Sequence, residues 1–242
     1  MKTVMIIGGT DSSGGAGLTR DAFVARALGF EVLPIVTAVT AQSHDKLFET
    51  QMMPAEMVTQ QVRAALAAAP PSAIKIGMLG SAEIAEAVAH AIRQQPCPMV
   101  IDPLLKSSSG GQLFAGELPQ ALLSQAALLT PNLPEAATLT GRPLASTEAG
   151  ITAQAEWFLA NGARAVLIKG GHATGATSTD YLFSASERHI LVAPRLKADK
   201  RGTGCALATA IACHLADGAG LYHACQGAKE FIQGWLSEAA GN

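Results

Sequence analysis

Short apolar runs at residues 3–7, 32–36, 74–76, 98–101, 128–130 and 165–169 are each bounded by glycine, proline or charge. They alternate with longer alanine-, leucine- and glutamate-rich stretches at 54–69, 81–95, 119–126 and 147–161. The runs have the length and uninterrupted hydrophobicity of strands buried on both faces, and the stretches between them carry helical spacing. A β-α-β-α order with crossovers of that length restricts the chain to an α/β fold. Its sheet is mainly parallel, helices cover both faces, and ligands bind at the carboxyl ends of the strands. Past Lys169 the pattern changes: residues 179–183 and 189–192 read as an antiparallel pair, and 204–215 as a helix with an unusual first turn. No internal repeat or low-complexity linker divides the chain. With 49% hydrophobic residues among 242, residues 1–242 are expected to form one domain around a substantial core.

A net charge of −2 gives no basic field for nucleic acid or an anionic membrane, which leaves a small molecule as the expected partner. The apolar run within residues 1–8 is too short for a signal-peptide core or a membrane span, so the protein is expected in the cytoplasm. Cys97, Cys205, Cys213 and Cys225 lie far apart, without the paired spacing of zinc sites, and are expected to be reduced thiols. His44, His90, His189 and His214 share no metal-binding spacing, and Trp157 and Trp235 read as packing residues.

The first apolar run passes directly into Gly8-Gly9-Thr10-Asp11-Ser12-Ser13-Gly14-Gly15-Ala16-Gly17, where glycines permit close backbone approach to a ligand. No Gly-Lys-Ser/Thr follows, and the spacing does not fit the dinucleotide fingerprint. Alone, such a segment serves a tight turn as readily as a ligand. The second constellation is Lys200-Arg201-Gly202-Thr203-Gly204-Cys205, ahead of an apolar helix. Small residues opening a helix leave N–H groups unpaired, and with the helix dipole these suit a phosphate or a developing oxyanion. Gly202, Thr203, Gly204 and Cys205 are the candidate anion hole. A thiol in that first turn sits where the thiolate is favoured, making Cys205 a candidate base or nucleophile. Taken alone, the position weighs toward buried packing.

The segment Gly9 through Gly17 resembles the opening signature of hydroxymethylpyrimidine and phosphomethylpyrimidine kinases, and Gly202-Thr203-Gly204-Cys205 resembles their catalytic loop. Further matches follow in the family's order: Thr37-Ala38-Val39-Thr40-Ala41-Gln42, Lys75-Ile76-Gly77-Met78-Leu79, Asp102-Pro103, Thr130-Pro131-Asn132-Leu133-Pro134-Glu135-Ala136 and Lys169-Gly170-Gly171-His172. The likeness spans nearly the whole chain. It implies a ribokinase-like three-layer sandwich, ATP and Mg²⁺ as cofactors, and a homodimer. The implied reaction is phosphorylation of a hydroxymethylpyrimidine and then of its monophosphate, on the route to thiamine.

By this resemblance Gly9, Ala16, Asp21, Gln42 and Met78 surround the pyrimidine, with Gln42 and backbone groups reading the ring's nitrogen and amino edge. Cys205, taken as a partly ionised thiol, faces the hydroxymethyl group. Asp102 and Glu135 match acidic positions that hold Mg²⁺ near the phosphates, and Lys169 supplies positive charge to ATP. Each has a bland reading without the family: Asp102 begins a turn, Glu135 caps a helix, Met78 fills core. Asn132 either positions Glu135 or only turns the chain.

The chain also departs from the family. Arg201 stands where a histidine is common, Ala206 replaces a common hydroxyl residue, Lys106-Ser107-Ser108-Ser109 varies the segment after Asp-Pro, and the sequence stops at Asn242 without a Gly- and His-rich tail. The competing readings are a pyridoxal or pyridoxine kinase and a catalytically silent pyrimidine-sensing protein. A nicotinamide-dependent enzyme has only the α/β pattern behind it.

Overall fold

The computed structural model describes residues 1–105, 113–115, 118–171, 175–196 and 200–240. Lys106 to Ser109, His172 and Asn242, singled out above, lie outside the described residues. The chain opens with β1 (Thr3–Gly9), α1 (Gly17–Ala27), β2 (Glu31–Gln42), β3 (Leu47–Met52), α2 (Ala55–Ala68), β4 (Ala73–Ile76) and β5 (Gly80–Ser81). There follow α3 (Ala82–Ile92), β6 (Met99–Ile101), β7 (Phe114–Ala115), α4 (Gln120–Leu123), β8 (Leu128–Leu129), α5 (Leu133–Thr140) and α6 (Glu148–Ala160). The last third holds β9 (Ala165–Lys169), β10 (Thr177–Ser184), β11 (Arg188–Pro194), α7 (Thr203–Ala216) and α8 (Leu221–Ala240).

Among the described residues, the main sheet runs β11-β10-β9-β8-β6-β4-β1-β2-β3. The contacts from β2 through β9 are parallel, and β3, β10 and β11 join antiparallel at the two edges. Period-2 alternation sorts each central strand onto two cores. In β1, Met5 and Ile7 join a cluster with Val58 and Val62 of α2, Val88 and Ile92 of α3, and Ile151 and Phe158 of α6. Val4 and Ile6 face the other way, onto Val24 of α1, Ile211 of α7 and Ala228 of α8. The expected helix-covered sheet is therefore present, with α1, α7 and α8 on one face and α2, α3 and α6 on the other. Helix α7 is the most enclosed: every residue from Cys205 to Cys213 is buried.

The run at 32–36 is not buried on both faces as its hydrophobicity suggests, since Pro34 is exposed. Strand β3 pairs only with Ala38 to Gln42, so the first half of β2 lacks a partner there, an edge position where a strand tolerates proline. The other half continues past the end of β1 and carries Thr40 and Gln42 over the carboxyl ends of the sheet. The pattern alone missed β3, whose three apolar residues flank three polar ones and none of whose residues is buried. The cysteines are free thiols. Among the described residues, no helix is long and apolar enough to cross a membrane.

Candidate active site

A cavity of about 1050 Å³ opens at the carboxyl ends of the parallel strands, where this fold class gathers its ligands. The helices differ in how they begin. Side chains cap α3, α5 and α6 (Ser81, Asn132 and Thr147). By contrast, α2 and α4, which start after Pro54 and Pro119, have no side-chain cap. Nor do α1, which follows Ala16, and α7, which follows Gly202. The first-turn N–H groups of α7 therefore remain available to a ligand, while that of Gly17 in α1 faces Cys205. The two glycine-rich segments also touch. Gly202 has φ 77°, and a methyl group there would run into the carbonyl of Gly15. Gly17 has φ 57°, and its methyl would strike the carbonyl of Gly9. The glycines are needed for left-handed backbone and for the approach of one loop to the other.

Beneath this junction α1 and α7 meet at matching i, i+4 positions. The Gly17 N–H faces the Cys205 sulfur and favours its thiolate form. One turn on, the Thr209 hydroxyl donates to Asp21 Oδ1 at 2.8 Å, and Lys75 Nζ of β4 donates to Asp21 Oδ2 at 2.6 Å. Lys75 and Asp21 side chains are each 1% exposed. Burial alone would lower the Lys75 pKa, but Asp21, Cys205 and Asp102 together hold it above its ordinary value. Asp21 thus reaches the cavity floor with both oxygens already engaged by the protein.

The sequence expectation of a partly ionised Cys205 is overturned. Burial pushes its thiol up to about 11; Lys75 and the Gly17 N–H pull it down without prevailing over burial, Asp21 and Asp102. The helix start is a favourable place for a thiolate, but the thiol of a residue only 5% exposed loses more hydration than the dipole returns.

Asp102 follows β6 and is fully buried. Its Oδ1 accepts from Lys169 Nζ at 2.7 Å and from the Thr130 hydroxyl at 3.2 Å, while Oδ2 has no hydrogen-bond partner. A methyl group on Gly204 would lie 3.3 Å from Lys169 Nζ and 3.7 Å from that oxygen, so the free carboxylate oxygen and the lysine flank the anion loop. Glu135 forms a reciprocal box with Asn132: the Glu135 N–H donates to Asn132 Oδ1 and the Asn132 N–H donates to Glu135 Oε2, both at 2.8 Å. The capping reading of Glu135 and the positioning role of Asn132 are both realised, on a carboxylate that lines the cavity. Burial pushes Glu135 up to about 7 against the pull of Lys169, with Asp102 adding to the rise.

At one end of the cavity, Met78 covers Gly9 so closely that a methyl there would lie 2.8 Å from its sulfur. The Thr37 hydroxyl holds the Met78 carbonyl at 2.6 Å. Gln42 is tied by its backbone to Ser12 and by its side chain to Arg201. The opposite end is lined by Leu196, Leu207, Ile232 and Leu236, with Gln233 beside them. There Lys200 lies 4.5 Å above the Trp235 ring, and Lys229 pairs with Asp180 at 2.5 Å. Asp180 also accepts from the Gly170 N–H at 3.0 Å, joining α8 to the end of β9.

Gly9, Ala16, Asp21, Gln42, Met78, Glu135, Lys169, Gly202, Thr203, Gly204 and Cys205 all line this one cavity. Asp102 stands behind it, through Lys169 and next to Gly204. Motif reading gave no role to Asp180 and Lys229, nor to Lys75, although Lys75 opens one of the matched segments. A charge inside a run read as fully buried must be paired, so Lys75 within Ala73–Ile76 carried a usable signal. Lys229, on a helix of mixed polarity, carried none.

A sequence profile of the family described as phosphomethylpyrimidine kinase matches residues 11–241. A hydroxymethylpyrimidine/phosphomethylpyrimidine kinase of Streptomyces coelicolor is 40% identical over 241 residues, covering 97% of this chain and 88% of that protein. The crystal structure of phosphomethylpyrimidine kinase from Clostridium difficile superposes with a TM-score of 0.83 at 29% identity, covering 98% of this chain and 100% of that one. The structure of Staphylococcus aureus pyridoxal kinase in complex with AMP-PCP and pyridoxal gives a TM-score of 0.86 at 27% identity, covering 98% of this chain and 88% of that one.

Proposed function

This chain belongs to the phosphomethylpyrimidine kinase family, with its ribokinase-like fold, and on that footing we propose that it transfers the ATP γ-phosphoryl group to 4-amino-5-hydroxymethyl-2-methylpyrimidine and then to the resulting monophosphate, in thiamine biosynthesis. The observation that carries the reading is the single cavity, with a compact polar end at Gly9, Met78 and Gln42, an anion loop at its centre and an apolar end against α8. Two ligands fit head to head, the ATP γ-phosphate meeting the acceptor oxygen, hydroxyl or phosphate, over Gly202 to Cys205. The apolar end, with Leu207, Ile232 and Leu236, takes the nucleotide base. Phosphoryl transfer is mostly alignment and charge stabilisation, and these the loop N–H groups and Lys169 provide.

The residues present fit Mg²⁺. Asp102 offers a buried carboxylate oxygen with no hydrogen-bond partner, and the Glu135 carboxylate, like Asp102, is close enough to Lys169 to raise its pKa. Among the described residues there is no cluster of three or more metal-ligating side chains, as suits a cation held by one or two carboxylates, water and phosphate oxygens. When bound, Mg²⁺ neutralises charge on the transferring phosphate. Asp102→Asn and Glu135→Gln are each expected to raise the Mg²⁺ concentration for half-maximal turnover by about threefold or more, since each weakens a carboxylate or water link worth a fraction of a kcal/mol upward. Unchanged metal titrations would leave both as structural residues.

Gln42→Ala is expected to raise the pyrimidine KM by about tenfold, a buried hydrogen bond lost without replacement, and the ATP KM by much less. Equal changes in both would remove Gln42 from the ring pocket. The decisive assay is coupled ADP release with hydroxymethylpyrimidine, its monophosphate and pyridoxal side by side. Pyridoxal is included because the pyridoxal kinase superposes as closely as the pyrimidine kinase does. Turnover of pyridoxal alone would replace the pyrimidine reading, and turnover of none would support a silent sensor.

A further inference from the structure

Arg201 holds together three segments around the ring end of the cavity. It directly precedes Gly202 of the anion loop, and its side chain is 11% exposed. Nη1 donates to the Ser43 carbonyl at 2.8 Å and to the Ser13 hydroxyl at 3.2 Å, and Nη2 donates to Gln42 Oε1 at 3.2 Å. Asp11 Oδ2 stands 3.8 Å from Nη1, while its Oδ1 accepts from the Ser13 N–H and hydroxyl. The first glycine-rich loop, the turn after β2 and the start of the anion loop thus converge on one guanidinium.

A guanidinium has donors and no acceptor, so whichever atom of the Gln42 amide faces it must be the carbonyl oxygen. The two N–H donors of that amide then remain for a ligand in the cavity that Gln42 lines. A free glutamine flips its amide at little cost and offers a donor or an acceptor alike; this one is committed. Arg201 is also ill placed to serve as an anion site. Asp11 stands against its charge, and three of its four Nη hydrogens are given to Ser13, Ser43 and Gln42.

We propose that Arg201 is a positioning residue for substrate recognition: it locks the Gln42 amide so that its N–H donors face the ring, selecting a heterocycle that places an acceptor nitrogen there. The proposal rests on Gln42 reading the pyrimidine, as above. It accounts for an arginine at this position: a lysine brings one ammonium, which cannot span Gln42, Ser13 and Ser43 in fixed directions.

The test is a double-mutant cycle on the full chain with Arg201→Met, Gln42→Ala and both together. It reads the hydroxymethylpyrimidine Kd by titration calorimetry alongside the KM for hydroxymethylpyrimidine, its monophosphate and ATP. Arg201→Met is expected to weaken the pyrimidine by about tenfold, as an unlocked amide would, with the ATP KM changed by less than about twofold. The double variant is expected to be no weaker than Gln42→Ala alone, because Arg201 acts through that amide. Multiplying losses in the double variant would overturn the proposal. So would an effect on the monophosphate alone, which would make Arg201 a phosphate ligand. Should Arg201→Met not fold, Arg201→Lys keeps the charge beside Asp11, and a wild-type pyrimidine Kd in that variant would equally overturn it. Wild-type chain that binds the pyrimidine without phosphorylating it defeats the kinase reading and leaves the cycle in Kd to judge Arg201; wild-type chain that does neither defeats both.

Discussion

Replacing Cys205 by alanine is expected to slow phosphorylation of hydroxymethylpyrimidine by about 10²- to 10⁴-fold, the span of a positioned general base. Phosphorylation of the monophosphate is expected to fall far less. Its acceptor is a phosphate oxygen already ionised at neutral pH, whereas the hydroxymethyl group must lose a proton as its bond to phosphorus forms. The buried thiol makes the claim sharper. With its pKa pushed up to about 11 by burial, Cys205 is a neutral thiol at pH 7, and its thiolate fraction grows about tenfold for each pH unit below that value. Wild-type turnover of hydroxymethylpyrimidine should therefore climb between about pH 7 and pH 10, and the alanine variant's residual rate should not follow. Equal loss on the two substrates would mean that Cys205 acts through the shape of the anion loop. A flat wild-type profile would mean that the neutral thiol only orients the hydroxyl.

The central strands and both cores were legible because burial on two faces admits a polar residue only where it is paired, as Lys75 is, so the runs at 3–7, 74–76 and 165–169 stand out in the sequence. What escaped lies where that constraint lapses. Strand β3 is a part-exposed edge, and the far half of β2 is half-covered. The glycine loops were visible as glycines, but their contact, Gly202 against the Gly15 carbonyl, is a property of two segments that only the fold brings together. The same holds for chemistry. A thiol at a helix start looks activated in sequence, because the dipole is local and readable; the desolvation that outweighs it comes from the packing of α1 on α7. Ala206, one of the family departures, is likewise explained by packing: it is fully buried in the cluster with Leu207 and Ile211, where a hydroxyl would need a partner of its own.

Lys75→Met is expected to cost about 3–5 kcal/mol of stability, the usual loss when one member of a buried ion pair is removed, lowering the unfolding midpoint by roughly 6–20 °C in a chain of this size. Lys75 projects from a strand in the middle of the sheet onto the α1–α7 face, and its ammonium meets Asp21 at 2.6 Å with both side chains 1% exposed. Removing the lysine leaves a carboxylate that is 1% exposed without its cation, and Thr209 alone cannot compensate a charge. Asp21→Leu strands the ammonium in the same way. The double variant Lys75→Met with Asp21→Leu should recover most of the loss, since two apolar groups of similar size need no partners and the Thr209 hydroxyl can turn to the Cys205 carbonyl one turn back. Chemical denaturation of the four proteins closes this cycle. The resemblance placed Asp21 beside the pyrimidine, and the same variants decide how it acts there. If Asp21 serves the ring only by holding α1 against α7 beneath Cys205, the double variant regains stability together with pyrimidine binding. If its carboxylate itself touches the ring, stability returns and the pyrimidine KM stays high.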